Sequence, residues 1–182
     1  MSAPGFTLFD TPIAPCGVVW GGRGLLGVQL PEADTPKTEQ RLLRRFPEAS
    51  EAVPPPPIRD AIRRIVELLS GAAGDLSEVA LDMDGVPEFE RQVYGVARTI
   101  PRGCTLTYGD VAARLGDKAL ARDVGQALGR NPFPIVVPCH RVVAANGKPG
   151  GFSATGGIRT KLRLLAIEEV TASEQADLFD GP

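Results

Sequence analysis

Between Asn131 and Val143 the chain reads Asn131-Pro132-Phe133-Pro134-Ile135-Val136-Val137-Pro138-Cys139-His140-Arg141-Val142-Val143. Proline fixes φ and carries no backbone N–H, so neither a helix nor a central strand can run through Pro132, Pro134 and Pro138. The segment must therefore cross the fold as a stiff, irregular link. Its apolar stretch from Ile135 to Val137 is expected to be buried, which delivers Cys139 at the end of a rigid segment. His140, the sole histidine of the chain, follows directly.

That coincidence matters because the chain has few groups that could do anything else of the kind. Three cysteines, Cys16, Cys104 and Cys139, cannot all pair with one another, and a reducing compartment is the simpler setting. With one histidine and no closely paired cysteines, a structural zinc site is not expected. At 182 residues the chain can bury a sizeable core without staples. No apolar run approaches the roughly 18 residues of a spanning helix, and Met1 to Asp10 lacks the pattern of a signal peptide. The sequence reads as a cytoplasmic monomer with no membrane segment, no metal and no cofactor.

A formal charge of −2 argues against a polyanionic partner only if charge is spread evenly, and it is segregated. Residues 1–90 hold 8 basic and 14 acidic side chains, residues 91–163 hold 12 and 3, and residues 164–182 hold none and 5. The net values of −6, +9 and −5 cancel to −2. A basic central segment is the electrostatic footprint expected of a surface that meets phosphates, or else a solvated basic face balanced by its acidic neighbours.

The fold class expected is α/β, with a small amino-terminal α/β domain over 1–85 and a mainly helical domain over 86–169. Residues 170–182 read as an acidic, disordered tail. Ile13 to Trp20, Gly21-Gly22 and Gly24 to Leu30 predict a hairpin. A helix is expected from Thr38 to Phe46, and the four prolines from Pro54 to Pro57 are expected outside any helix. Ile58, Ile62, Ile65, Val66 and Leu69 then mark a helix that Gly71 stops, and Val79 to Met83 reads as a further strand. In the second domain, Phe89, Val93, Val96 and Ile100 form an apolar stripe behind Pro87. Thr107 with Asp110 makes a capping box, Gly116-Asp117 a turn, and Lys118 to Gly129 a second helix. The pair is a candidate helix-turn-helix of the sort that lays its second helix in a groove of DNA, the alternative being two helices packed into the core. On its second helix Ala119, Ala121, Gly125 and Ala127 permit close approach, and Arg122 is a long cation among them.

Thiolate chemistry requires a base or a cation that lowers the cysteine's pKa. His140 is the evident base for Cys139, although adjacent residues do not face each other in a strand or helix, so a turn or a bridging water must connect them. Glu168, at the end of the last helix, is a carboxylate that could orient the imidazole. A cysteine hydrolase or a thiol peroxidase could also use this pair. The first would need an oxyanion hole, the second a resolving Cys16 or Cys104, and neither needs a basic helix-turn-helix.

Pro138-Cys139-His140-Arg141-Val142-Val143, preceded by Gly129-Arg130-Asn131-Pro132, resembles the active-site motif of the alkylguanine-DNA alkyltransferases, or methylated-DNA–protein-cysteine methyltransferases. The resemblance runs from about Phe89 to Glu168 and includes Thr107-Tyr108-Gly109 and Gly156-Gly157. It implies a DNA repair protein that binds double-stranded DNA in the minor groove and flips out guanine alkylated on its 6-oxygen. The alkyl group would pass irreversibly to Cys139, one turnover per molecule. In catalysis, the resemblance makes His140 a water-mediated base, Glu168 its partner, Asn131 the organiser of the motif, and Tyr108 a proton donor to the departing guanine. It makes Arg122 the finger that fills the gap in the duplex, with Thr107, Tyr108, Ala121, Gly125 and Arg130 beside it on the DNA. Val142, Phe152 and Ser153 would line the base pocket. Two departures stand out. Phe152 replaces a tyrosine common in the family, and the loop through Ser153 to Gly156 is about two residues longer than in some relatives. Such a protein would act in the cytoplasm, at the nucleoid.

The tail carries Gln175-Ala176-Asp177-Leu178-Phe179. Gln175 followed by Leu178 and Phe179 is similar to the short peptide by which bacterial replication and repair proteins dock to the sliding clamp, which the resemblance implies as a second partner. Cys16 and Cys104 read as spectators.

Overall fold

The computed structural model describes residues 3–169. Gln175, Leu178 and Phe179 of the clamp-like peptide lie outside them. Contacts between Cα atoms divide the chain into two compact units, one of residues 1–85 with 132–136 and one of 86–131 with 137 onward. The proline-rich link, assigned above wholly to the second domain, therefore contributes its first half to the first unit.

The first unit is built on a four-stranded sheet of order β3-β2-β1-β4, with β1 Gly5–Phe9, β2 Cys16–Gly21, β3 Gly24–Gln29 and β4 Ser50–Glu51. β1, β2 and β3 form an antiparallel meander, and β4 pairs parallel to β1. The expected hairpin is β2–β3. Helix α1, Thr35–Arg45, starts three residues earlier than expected because Asp34 caps it, its carboxylate accepting the Lys37 N–H at 2.8 Å. Leu42 of α1 packs with Phe6, Val19 and Ala49 in the core. A Cβ at Gly17 would lie 2.4 Å from Leu42 Cδ1, so the absence of a side chain on β2 lets the helix come this close.

Helix α2 is Pro56–Leu69, and it buries Ile58, Ala61, Ile65, Leu68 and Leu69. Pro56 and Pro57 lie inside it, against expectation, because the first turn has no use for their missing N–H groups. The strand expected over Val79 to Met83 is also absent, reduced to a single bridge between Leu81 and Leu25. The link joins this unit through backbone: Val28 N–H donates to Pro132 O at 2.9 Å, and Arg45 Nη2 to the same oxygen at 3.3 Å. Ile135 to Val137 is buried as expected. Ile135 has φ 76°, a left-handed conformation rare for a β-branched residue.

The second unit comprises α3 Glu88–Arg98, β5 Leu106–Thr107, α4 Tyr108–Arg114, α5 Ala121–Gly129, β6 Val142–Val143 and α6 Ile158–Ile167. Pro87 sits just before α3. The buried face of α3 is Glu90, Val93, Tyr94 and Ala97, continued by Ile100, whereas Phe89 and Val96 are only half-buried. The stripe is thus turned relative to expectation, because two residues with polar ends, Glu90 and Tyr94, find partners inside. The capping box of α4 is present: Asp110 N–H donates to Thr107 Oγ1 at 3.0 Å and Thr107 N–H to Asp110 Oδ2 at 2.8 Å. Gly116, at φ 103°, makes the turn after α4. Lys118–Leu120 form a 3₁₀ turn before α5, so the second helix begins about three residues later than expected. Strands β5 and β6 pair in parallel directly after the Cys139–Arg141 turn.

Candidate active site

Pro138 has φ −78° and ψ 65°, and Cys139 N–H donates to Val137 O at 2.7 Å, which makes an inverse γ-turn around the proline. Cys139, His140 and Arg141 then form one 3₁₀ turn. In this turn the neighbours Cys139 and His140 serve different surroundings. Cys139 lines a cavity of about 400 Å³ with Tyr108, Gly125, Leu128, Gly129, Gly151, Phe152 and Ser153. His140 is fully buried behind it.

His140 Nε2 lies 3.0 Å from Glu168 Oε1. An ionised carboxylate only accepts, so the proton of the neutral ring belongs on Nε2, and Nδ1 presents its lone pair. Nδ1 is buried and makes no hydrogen bond among the described residues. Arg141 clasps the same carboxylate, Nε to Oε2 at 2.9 Å and Nη2 to Oε1 at 2.8 Å, and Nη1 donates to Ile100 O at 2.6 Å. Burial raises the Glu168 pKa, but the bonds from His140 and Arg141 outweigh it and leave the group at about 2. It is a fixed anion.

The thiol does not follow the simple expectation of a depressed pKa. Burial pushes Cys139 up, and the Asn131 side chain, the Lys161 ammonium and nearby backbone N–H groups pull against that without overcoming it. Asn131 Nδ2 also donates to Val137 O at 3.0 Å, so one side chain holds both the γ-turn and the sulfur.

Lys161 was not singled out in the sequence, yet it is fully buried beside this site. Its Nζ donates to Val142 O, to Gly151 O at 3.3 Å and to Tyr108 Oη at 3.5 Å. Burial lowers its pKa to about 8, with Cys139 pulling the other way. A signal was available: Lys161, Leu164, Leu165 and Glu168 are the buried positions of α6 and its cap, spaced i, i+3, i+4, i+7, with a charge at each end. Tyr108 Oη donates to Gly151 O at 3.5 Å, and burial raises its pKa. Gly150 has φ 72°, and a Cβ there would sit 2.7 Å from Tyr108 Oη. Only glycine lets the loop close over the ring.

The remaining residues divide. Tyr108, Gly125, Phe152 and Ser153 are on the cavity wall together with Cys139. Val142 is not; it is buried in β6 with its carbonyl occupied by Lys161. Asn131, His140 and Glu168 stand behind the wall. Arg122 is exposed on α5 and Ala121 half-buried. Thr107 is engaged in its capping box, and Arg130 in an ion pair with Glu90. Leu128 and Gly151 are wall residues the sequence did not mark, and Gly129, quoted only as part of the motif, joins them on the wall.

Comparison with known proteins gives a consistent result. The family described as 6-O-methylguanine DNA methyltransferase, DNA binding domain, matches residues 88–170. A methylated-DNA–protein-cysteine methyltransferase of Methanothermobacter thermautotrophicus is 38% identical over 164 residues, covering 90% of this chain and 85% of that protein. One from Mycobacterium tuberculosis is 35% identical over 177 residues, 96% and 98% of the two chains. Among solved structures, M. tuberculosis OGT in complex with DNA is similar with a TM-score of 0.73 at 32% identity, covering 97% of this chain and 99% of that one. The O6-methylguanine-DNA methyltransferase of Pyrococcus kodakaraensis gives 0.69 at 30% identity, with 92% and 99% covered. The chain belongs to the family of methylated-DNA–protein-cysteine methyltransferases, the alkyltransferases of DNA repair.

Proposed function

We propose that this protein binds double-stranded DNA through α4 and α5 in the minor groove, takes a flipped guanine alkylated on its 6-oxygen into the cavity, and transfers the alkyl group irreversibly to Cys139. The observation that carries this reading is a thiol on the wall of a base-sized cavity, backed by a buried imidazole whose orientation a fixed carboxylate sets.

A water bridging His140 Nδ1 and the sulfur can take the thiol proton, leaving imidazolium next to Glu168. The thiolate attacks the alkyl carbon, the new C–S bond forms as the C–O bond breaks, and the electron pair leaves on guanine. Tyr108 Oη donates a proton to the departing base, and Lys161, within hydrogen-bond reach of the phenol, supplies or stabilises it. The product thioether has no nearby group able to cleave it, so each molecule reacts once. Arg122 fills the place of the flipped base, and Thr107, Ala121, Gly125 and Arg130 flank it on the duplex. Asn131 holds the γ-turn, and Phe152 and Ser153 face the base.

An oligonucleotide carrying O6-methylguanine should add the mass of one methyl group to the Cys139 peptide, with none added to Cys139→Ala. An intact thiol after incubation with that oligonucleotide sinks the reading. The tail is assigned, on its sequence alone, to the bacterial sliding clamp through Gln175, Leu178 and Phe179. A tail peptide should bind that clamp, and equal binding by the triple alanine peptide removes the assignment.

A further inference from the structure

We propose that Glu90 acts as a brake on lesion-independent DNA binding, by cancelling the charge of Arg130 at the C-terminal end of α5. This rests on the alkyltransferase reading above.

Arg130 is the residue after Gly129, which lines the cavity, and it caps the C-terminal end of α5. Its side chain is 59% exposed, yet Nε and Nη2 both donate to one oxygen, Glu90 Oε1, at 3.2 and 2.6 Å. The Glu90 side chain is 10% exposed, in the first turn of α3. One turn further along α3, Tyr94 Oη donates to Ala127 O at 2.9 Å, so the same helix face is tied twice to the last turns of α5. Glu90 is thus held where it meets Arg130. It is not an incidental surface partner.

The consequence is electrostatic. A guanidinium has five N–H donors and Glu90 engages two, so the outer edge of Arg130 can still hydrogen-bond a phosphate. The pair as a whole, however, brings no net charge to the duplex. Affinity for undamaged DNA grows with each phosphate that a net cation neutralises, and log K falls with log salt by about 0.9 per phosphate. Arg122, exposed on the same helix, makes no ion pair with the described residues and keeps its full charge. Of two arginines on the helix that meets DNA, one is left active and one is neutralised. Occupation of the cavity by a flipped base does not involve the pair, so the brake acts equally on damaged and undamaged duplex. It shortens residence on the undamaged excess.

Binding of a lesion-free duplex to the full chain, followed by fluorescence anisotropy between 50 and 200 mM salt, tests this. Glu90→Gln should tighten binding about three- to tenfold and steepen the slope of log K against log salt by about 0.9. Arg130→Gln, at an exposed position, should loosen binding several-fold by leaving the carboxylate bare, and the double variant should return to the wild-type slope. A Glu90→Gln protein whose affinity and slope are unchanged, or which only melts at lower temperature, overturns the proposal. So does an Arg130→Gln protein that binds as well as wild type. Methyl transfer to Cys139 by the wild type, measured on the same preparation, decides the underlying reading separately: its absence removes the alkyltransferase, whereas an unaltered salt slope removes only the role of Glu90.

Discussion

Among the described residues, the polar side chains buried in the first unit are Gln29 and Thr38, whereas the second buries Glu90, Thr105, His140, Arg141, Lys161 and Glu168. Gln29 and Thr38 complete local structure: Gln29 Nε2 donates to Leu30 O at 2.9 Å, and Thr38 Oγ1 accepts from Glu32 N–H. In the second unit the buried groups are mostly ionic and most of them bond to one another or to the reactive turn. Burying a charge is costly unless it is paired, and replacing such a cluster by apolar residues is often neutral or stabilising. A core that keeps Lys161, Arg141 and Glu168 is therefore shaped by something other than stability. The cysteines repeat the contrast. Burial raises the Cys16 thiol to about 12 against a single opposing bond from Thr11, while Asn131, Lys161 and backbone N–H groups together oppose the burial of the Cys139 thiol.

The largest effect is expected at Glu168. Glu168→Gln leaves the Arg141 guanidinium buried without its counter-charge, so it should lose about 3–5 kcal/mol of stability in urea. It should also slow methyl transfer by about 10²-fold or more, by freeing the base it orients. A variant that keeps wild-type stability and rate would make the cluster ornamental. The matched change in the first unit, Leu42→Ala, should cost about 2–5 kcal/mol by leaving a cavity. Its transfer rate, measured well below the melting temperature, should stay at wild type.

Acid sharpens the same line. The Glu168 carboxyl has a folded pKa of about 2 against an ordinary value of 4.5. Its contribution is fully present above pH 4.5 and is lost as pH falls toward 2. Stability of the wild type should therefore drop through that window more steeply than that of Glu168→Gln, as followed by denaturant unfolding at each pH. Smallest is Thr107→Ala, which removes the cap of α4 and should cost about 1 kcal/mol in thermal unfolding.

How much of this was legible follows from the same division. Alternation and turn glycines marked β2 and β3, and helical spacing marked α2, because the first unit is held by apolar burial that periodicity reports. Val79 to Met83 misled because the segment meets β3 only at Leu25, whose N–H donates to Ala80 O and whose carbonyl accepts from Asp82 N–H, and does not run on beside it. In the second unit Cys139, His140 and Glu168 could be singled out by residue type, and their juxtaposition is what the structure adds. Glu90 was missed since an isolated charge on a helix reads as solvent-facing and only the partner it meets across the fold says otherwise, whereas Lys161 shares the helical spacing of Leu164, Leu165 and Glu168 and was passed over because a lysine is seldom buried. The turned stripe of α3 has the same origin: Tyr94 is buried because Ala127 O is there to accept its hydroxyl.

The raised pKa of Cys139 has a consequence for the lifetime of the protein. Oxidants attack the thiolate in preference to the thiol, and oxidation beyond the sulfenic acid is largely irreversible. Under the proposed single-use transfer the nucleophile is not regenerated, so loss of the thiol to peroxide before a lesion is met would waste the whole molecule. Burial that favours the protonated sulfur keeps the thiol resistant to oxidation, and in the proposed reaction the proton leaves only once a substrate occupies the cavity.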